Sequence, residues 1–185
     1  MDTPPVISIT GDRVALGPMR RDLVPSYARW FNDFATLRTL GADPLPRALE
    51  VMVGLYERLS ALDTFAEFTI YERATLRPVG ITEWQEIDYG QGTANYLIFI
   101  GEPADRGRGF GTEVTRLMLR YAFGTLGLHN VALRVYEYNL AGLRAYEKAG
   151  FRPIGRQRQC HRLGNRYWDA IHMECRADDY LQDAR

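Results

Sequence analysis

Lysine is almost missing from this chain. Lys148 is the one lysine, so every other basic residue is arginine. Lys+Arg 23 balances Asp+Glu 23, and with no excess of either sign the chain has no overall field to draw it to nucleic acid or an anionic membrane. The arginine bias is largely compositional, although a fixed guanidinium fork also suits anion binding. Cysteine is as scarce. Cys160 and Cys175 have no metal-ligand spacing and make no disulfide framework. They could face each other across a hairpin; two reduced thiols is the reading taken. No apolar run is long enough to cross a bilayer. Met1–Pro5 is acidic and proline-bearing, with no apolar segment behind it, unlike a secretory leader. Repeats, linkers and low-complexity tracts are absent too. The expectation is one soluble, cytoplasmic domain over residues 1–185, long enough to bury a good-sized core.

What the chain does have is a run of glycines between Asp105 and Glu113, Asp-Arg-Gly-Arg-Gly-Phe-Gly-Thr-Glu. It follows an apolar run, Tyr96 to Ile100, and precedes a segment of helical period. Glycine at 107, 109 and 111 lets backbone N–H groups approach an anion with no Cβ in the way. The helix behind it offers unpaired N–H groups and the positive end of its dipole at the same place. A P-loop is excluded, because no Gly-Lys-Ser/Thr ending is present. A Rossmann fingerprint needs wider glycine spacing and an early place in its domain. Arg106, Gly109 and Gly111 therefore read as a pyrophosphate cradle, against the alternative of a plain strand-to-helix turn.

The rest of the chain supplies the frame. Val6–Thr10 and Arg13–Leu16 are strand-like and joined at Gly11-Asp12. Pro25 to Phe34 has helical spacing, Gly41 to Pro46 breaks the chain, and a second helix is expected from near Arg47, with Leu49, Met52, Val53, Tyr56 and Leu59 as its apolar stripe. Three strands follow, Phe65–Glu72, Val79–Ile87 and Ala94–Ile100, with a loop at Asp88–Thr93. After the glycines comes a helix faced by Val114, Leu117, Met118, Tyr121 and Ala122, with Thr112 as its expected cap and Gly124 and Gly127 as its end. Val131–Tyr136 is a strand. Asn139 caps a further helix that stops at Gly150, with Phe151 sealing it. Strands Phe151–Gln159 and Tyr167–Cys175 turn at Gly164-Asn165.

The loop Arg106-x-x-Gly109-x-Gly111 and the segment from Asn139 through Tyr146 to Gly150-Phe151 together resemble the GNAT superfamily of acetyl-CoA-dependent N-acetyltransferases. The loop is similar to that family's Arg/Gln-x-x-Gly-x-Gly/Ala element. The segment is similar to its Asn-x-x-(small or aliphatic)-x-x-x-Tyr-x-(Lys)-x-Gly-Phe element. The likeness covers nearly the whole chain. Arg13–Leu16, the Trp30-Phe31-Asn32-Asp33 cluster and Tyr167–Ala170 resemble the branch of ribosomal-protein N-terminal acetyltransferases and related drug-modifying enzymes. The resemblance implies an α+β, three-layer fold. Its central sheet would be mixed, mostly antiparallel and flanked by helices, with a splay between two central parallel strands. It implies transfer of the acetyl group of acetyl-CoA directly to a primary amine, on a protein N-terminus or a small amine or drug. The alternatives are another short acyl chain and a non-catalytic acyl-CoA sensor. No metal is expected, and the branch implies a homodimer.

The resemblance also assigns residues. The backbone of Ile98, Phe99 and Ile100 would pair with the pantetheine arm, and an N–H at or near Ile100 would polarise the thioester carbonyl. N–H groups from Arg108 through Gly109, Phe110 and Gly111 to Thr112 would hold the pyrophosphate, with Gly107 shaping the loop and Arg106 assisting. Tyr146 would protonate the departing sulfur, a role that suits a phenol titrating near ~10. Asn139 would hold a cofactor carbonyl or cap its helix. Glu83 is the first candidate base; a solvated carboxylate, or one that only binds the acceptor amine, fits it equally. Asp33 and Asp169 are weaker candidates. His129, His161 and His172 read as structural. Tyr27, Trp30, Phe31 and Phe34 read as helix core, although one or two of them, like Trp84, Tyr167 and Trp168, could line an acceptor cleft.

Overall fold

The computed structural model describes residues 4–183, so the reading of Met1–Pro5 falls mostly outside the described residues. One sheet of eight strands runs through the molecule. In chain order they are β1 (Ile9–Thr10), β2 (Val14–Pro18), β3 (Ala66–Glu72), β4 (Arg77–Asp88), β5 (Thr93–Ile100), β6 (Asn130–Tyr136), β7 (Arg152–Leu163) and β8 (Arg166–Arg176). Their spatial order is β1-β2-β3-β4-β5-β6-β8-β7. β5 and β6 run parallel, and every other neighbouring pair among the described residues is antiparallel. The helices are α1 (Val24–Phe31), α2 (Phe34–Leu40), α3 (Leu49–Leu59), α4 (Phe110–Gly124), α5 (Leu140–Ala149) and α6 (Ala177–Asp183).

Strand alternation gives the sheet two covered faces. On one face Trp84, Tyr96, Ile98 and Ile100 belong with Val114, Leu117 and Met118 of α4 and with Tyr146 of α5. On the other, Ile81, Leu97 and Phe99 belong with Tyr27 and Trp30 of α1 and Met52 of α3. A chain of buried hydroxyls ties the first face together. Thr82 Oγ1 donates to Tyr96 Oη (3.1 Å), Tyr96 Oη to Thr115 Oγ1 (3.2 Å), and Thr115 Oγ1 to Gly111 O (2.7 Å). Each of these hydroxyls leaves water and finds a partner in exchange.

The structure corrects several sequence expectations. Pro25–Phe34 is not one helix. Asn32 and Asp33 divide it, because their short side chains offer the backbone competing partners: the Asn32 amide donates to Ala28 O and accepts from Arg47 N–H, and Asp33 accepts from Ala35 N–H at the start of α2. The residue capping α4 is Gly109, not Thr112, which lies within the first turn. β1 is shorter than Val6–Thr10, β7 runs on to Leu163, and α6 was unforeseen. Trp84 is fully buried in the core of the α4 face, so it cannot line an acceptor cleft. Cys160 is exposed and Cys175 buried; neither is in a disulfide, and Cys175 pairs in register with Val131.

α1 is fastened to the end of β5. The Trp30 indole N–H donates to Glu102 Oε1 (2.9 Å), and Arg29 pairs with the same carboxylate. The indole lies against Gly101, where an added Cβ would come within 2.3 Å of the ring. A fused aromatic ring buried on all sides cannot step aside. Gly101→Ala should therefore lower unfolding free energy by about 1–3 kcal/mol, an overpacking cost. Chemical denaturation checks this, and an unchanged midpoint would show that α1 is free to shift.

Candidate active site

The site grows from a place where the sheet fails to close. β5 and β6 pair only over Thr93–Asn95 against Asn130–Ala132. Beyond that register β5 continues to Ile100 and β6 to Tyr136, each held by its other neighbour, β4 and β8. The gap leaves strand edges without strand partners. Gly101 N–H donates to Val79 O (2.9 Å), which makes Gly80 and Ile100 a non-hydrogen-bonded pair. The N–H of Ile100, and by the two-residue period that of Ile98, consequently points away from β4 into the gap. Phe99 is out of phase: its backbone turns to β4, and its ring packs edge-on against Trp30 and Phe31. An edge of this kind, inside a sheet, accepts an extended amide-bearing ligand as an added strand.

At the end of β5 the chain enters the glycine loop. Gly107 and Gly109 hold φ of 74° and 82°, where an L side chain is strained, and Gly109 caps α4. Glu113 N–H bonds to Gly109 O (3.2 Å). The N–H groups of Phe110, Gly111 and Thr112 precede this first intrahelical donor, and a Cβ at Gly111 would meet nothing within 4 Å. Charges hold this loop from outside. Asp105 is buried and accepts from Arg77 (3.0 Å) and from Arg108 (2.6 Å), and Arg108 also reaches Glu72 (2.8 Å). The Arg77 hydrogen bond, followed by that of Arg108, holds the Asp105 carboxyl below its ordinary range. Arg13 bonds to Arg108 O and to Glu113. Beside the loop is an open cleft of about 410 Å³, walled by Arg13, Arg73, Arg108 and Phe110.

Arg106 faces inward. Its guanidinium donates to Ile100 O (3.1 Å) and to Thr36 Oγ1 (2.6 Å), with Asp33 at 3.5 Å. These contacts tie α2 to the end of β5. At its other end, Arg38 O accepts from the Tyr138 hydroxyl (2.8 Å) and Thr39 O from the Asn139 amide (3.2 Å). α2 is thus stitched to both sides of the gap. Asn139 also accepts from Gly142 N–H (2.9 Å), so its side chain is engaged as a helix cap.

Tyr146 packs edge-on against Tyr96 and Phe151 on the α4–α5 face. Burial pushes its hydroxyl up to about 12. Glu83 lies on the opposite face, flanked along β4 by Ile81 and Gln85, and is only 8% exposed. Desolvation raises its carboxyl above the ordinary range, and the Gln85 amide donates to it. Directly across the ladder stands Glu67, half-buried on β3. Sequence reading passed over Glu67, although its alternation with Thr69 and Tyr71 placed it on the inward face. Asp33 and Asp169 are engaged elsewhere, Asp33 as the cap of α2 and Asp169 with Arg156 (2.7 Å) and Gln159 N–H (2.8 Å). His129 is exposed, and His161 stacks on Tyr136 at 4.1 Å. No group of three or more potential metal ligands occurs among the described residues.

A model of the acetyltransferase (GNAT) domain family matches residues 13–152. The chain is 30% identical over 139 residues to the SPbeta prophage-derived uncharacterized N-acetyltransferase YokL of Bacillus subtilis (strain 168), covering 75% of this chain and 77% of that one. It is 26% identical over 161 residues to the alpha/beta-tubulin-N-acetyltransferase 9 of Homo sapiens, covering 79% of this chain and 75% of that one. A solved spermidine N-acetyltransferase of Vibrio cholerae, in complex with CoA and spermine, shares the fold with a TM-score of 0.85. It is 24% identical, over 91% of this chain and 98% of that one.

The loop's outer clamp yields a stability test. Asp105→Asn should cost about 2 kcal/mol at neutral pH, less than a fully buried pair because both arginines are open to water. The carboxyl is depressed in the folded state, so its contribution is complete above its unfolded value and disappears as pH falls through the folded one. Denaturation curves should therefore differ at neutral pH and converge only in acid, below the ordinary carboxylate range.

Proposed function

The chain belongs to the GNAT family of N-acetyltransferases, and from that membership we propose that it moves the acetyl group of acetyl-CoA directly onto a primary amine of a small molecule or a peptide N-terminus. The observation that carries this reading is the gap between β5 and β6, with the N–H of Ile98 and Ile100 turned into it and the glycine cradle at its end. Free strand edge suits the two amides of a pantetheine arm. Unpaired N–H groups at the start of α4 suit a pyrophosphate, and a Cβ at Gly109 would require a strained backbone there.

When bound, acetyl-CoA supplies a thioester whose carbonyl carbon an amine can attack. Ile100 N–H is the donor placed to receive the charge that develops on the carbonyl oxygen. Glu83 takes the proton that the attacking nitrogen sheds, directly or through water. Tyr146 gives its proton to the departing sulfur; a hydroxyl held near 12 keeps that proton throughout the physiological range. These two side chains belong to opposite faces of the sheet, Tyr146 to the α4–α5 face and Glu83 to the face of Ile81, and the gap between β5 and β6 connects those faces. The amine therefore arrives from the α1–α3 face, while the sulfur leaves toward α5. Arg106 positions the end of β5 by holding Ile100 O, and Asn139 positions α5.

Free-thiol release from acetyl-CoA across a panel of primary amines tests the reading; silence with every amine would sink it. Acetyl-CoA should also raise the melting temperature, as any ligand specific to the folded state does. Tyr146→Phe should lower kcat by about a hundredfold while leaving the affinity for acetyl-CoA within about twofold. An unchanged kcat removes Tyr146 from the chemistry.

A further inference from the structure

Glu67 and Glu83 stand directly opposite each other across β3 and β4, so their side chains share one face of the sheet, Glu83 buried and Glu67 half-buried. Two ionised carboxylates repel at that range and neither can donate, so neighbours of this kind are relieved by holding one proton between them. The usual explanation for acids in a sheet is a cation alongside, and none is present: among the described residues neither carboxyl has a salt bridge. The neighbours confirm how isolated the pair is. From α1, Arg29 is engaged with Glu102, and Tyr27 bonds to Thr69 at 2.5 Å. From α3, Glu57 pairs with Arg21, Glu50 and Arg58 are exposed, and Tyr56 lies against the apolar cluster. β5 presents Leu97 opposite Glu83. The remaining polar neighbour is Gln85, a neutral donor to Glu83.

Resting on the reaction proposed above, we propose that Glu67 and Glu83 act as one proton-accepting pair, in which Glu67 is the positioning residue that makes Glu83 a base of useful strength. A lone carboxylate is a poor match for an ammonium, because its proton affinity lies far below that of an amine. Bringing a second carboxylate directly opposite the first, away from water and cations, makes the loss of the last proton from the pair unfavourable. The environment agrees: burial together with Glu83 pushes Glu67 up to about 8. With that proton lost, the pair presents Glu83 as an acceptor near the working pH. The pair first takes one proton from the ammonium and passes it to solvent; the N–C bond then forms, the nitrogen sheds its second proton to the pair, the C–S bond breaks, and the sulfur takes the proton of Tyr146. Afterwards the pair returns its proton to solvent and Tyr146 regains one, so protons balance over a cycle.

Two measurements test the pair independently of each other. Carboxyl carbon NMR titration of glutamate-labelled protein needs no acceptor. The intact chain should show a glutamate midpoint near pH 8, and Glu67→Gln and Glu83→Gln should each move the remaining midpoint down by at least about one pH unit. Two midpoints in the ordinary carboxylate range would overturn the pair. The second measurement is the pH profile of kcat/KM with a primary alkylamine, whose ammonium, like that of lysine, titrates near ~10.4 and so outside the window. Glu67→Gln should move the rising limb to lower pH and reduce the plateau about tenfold or more. If Glu83→Gln flattens the limb and Glu67→Gln leaves it in place, Glu83 stays the base and the pairing fails. If neither substitution moves it, the base reading itself is wrong.

Discussion

Everything in this molecule depends on two parallel strands that pair for three residues and then part. A sheet normally closes such a gap, because each unpaired N–H or C=O in a dry place is costly. Here neither strand is free to move. β6 is bonded to β8 along its whole length, and β5 to β4 from Asn95 to Ile100. On the α4–α5 face the rings of Tyr96, Phe151 and Tyr146 pack on one another and brace β5, with Phe151 stacked on Tyr96 at 6.0 Å. On the other face α2 is bonded to both banks. The gap is therefore a built feature with a rigid frame, and its open backbone edge is what makes an extended ligand part of the sheet.

The scarcity of lysine gains a physical meaning in this light. Arginine presents several donors in one plane, so one side chain can join several elements. Arg106 joins β5, the glycine loop and α2; Arg108 joins the loop to Asp105 and Glu72; Arg13 joins β2 to the loop and to α4. A lysine ammonium, with its compact charge, would hold each of these less well. The glycines give the loop its shape, and the arginines around it keep that shape while leaving the helix N–H groups free. Arginine enrichment near an anion site is thus not a count of anion contacts: these arginines mostly bond to protein.

Much of this was legible in the chain. The alternation of Phe65–Glu72, Val79–Ile87 and Ala94–Ile100 located β3, β4 and β5, and the pair of motifs located the gap between β5 and β6. Local signals failed where one side chain could serve two purposes. Asn32 and Asp33 sit in an apolar periodicity that reads as one helix, yet their short polar side chains end α1 and begin α2. Thr112 looks like a cap, but a glycine in the left-handed region stands three residues earlier at Gly109, and the helix starts there. Trp84 shows the limit of reading aromatics, since only the strand register says which face it joins. Glu67 is the more telling omission. A single acidic residue in a strand carries no signal until the pairing register puts another acid opposite it.

Burial has one effect on Tyr146 and on the glutamate pair, and the two results are complementary. Removing water disfavours the charged form of any acid, so it raises both groups. A phenol starts high, and raising it further keeps its proton in place until negative charge builds on the departing sulfur beside it. A carboxyl starts low, and raising it brings its proton affinity up toward that of the nitrogen it must relieve. In the proposed reaction the same desolvation therefore fixes Tyr146 as the acid and Glu83 as the base. The sheet separates the two, and the gap between β5 and β6 is where its two faces meet.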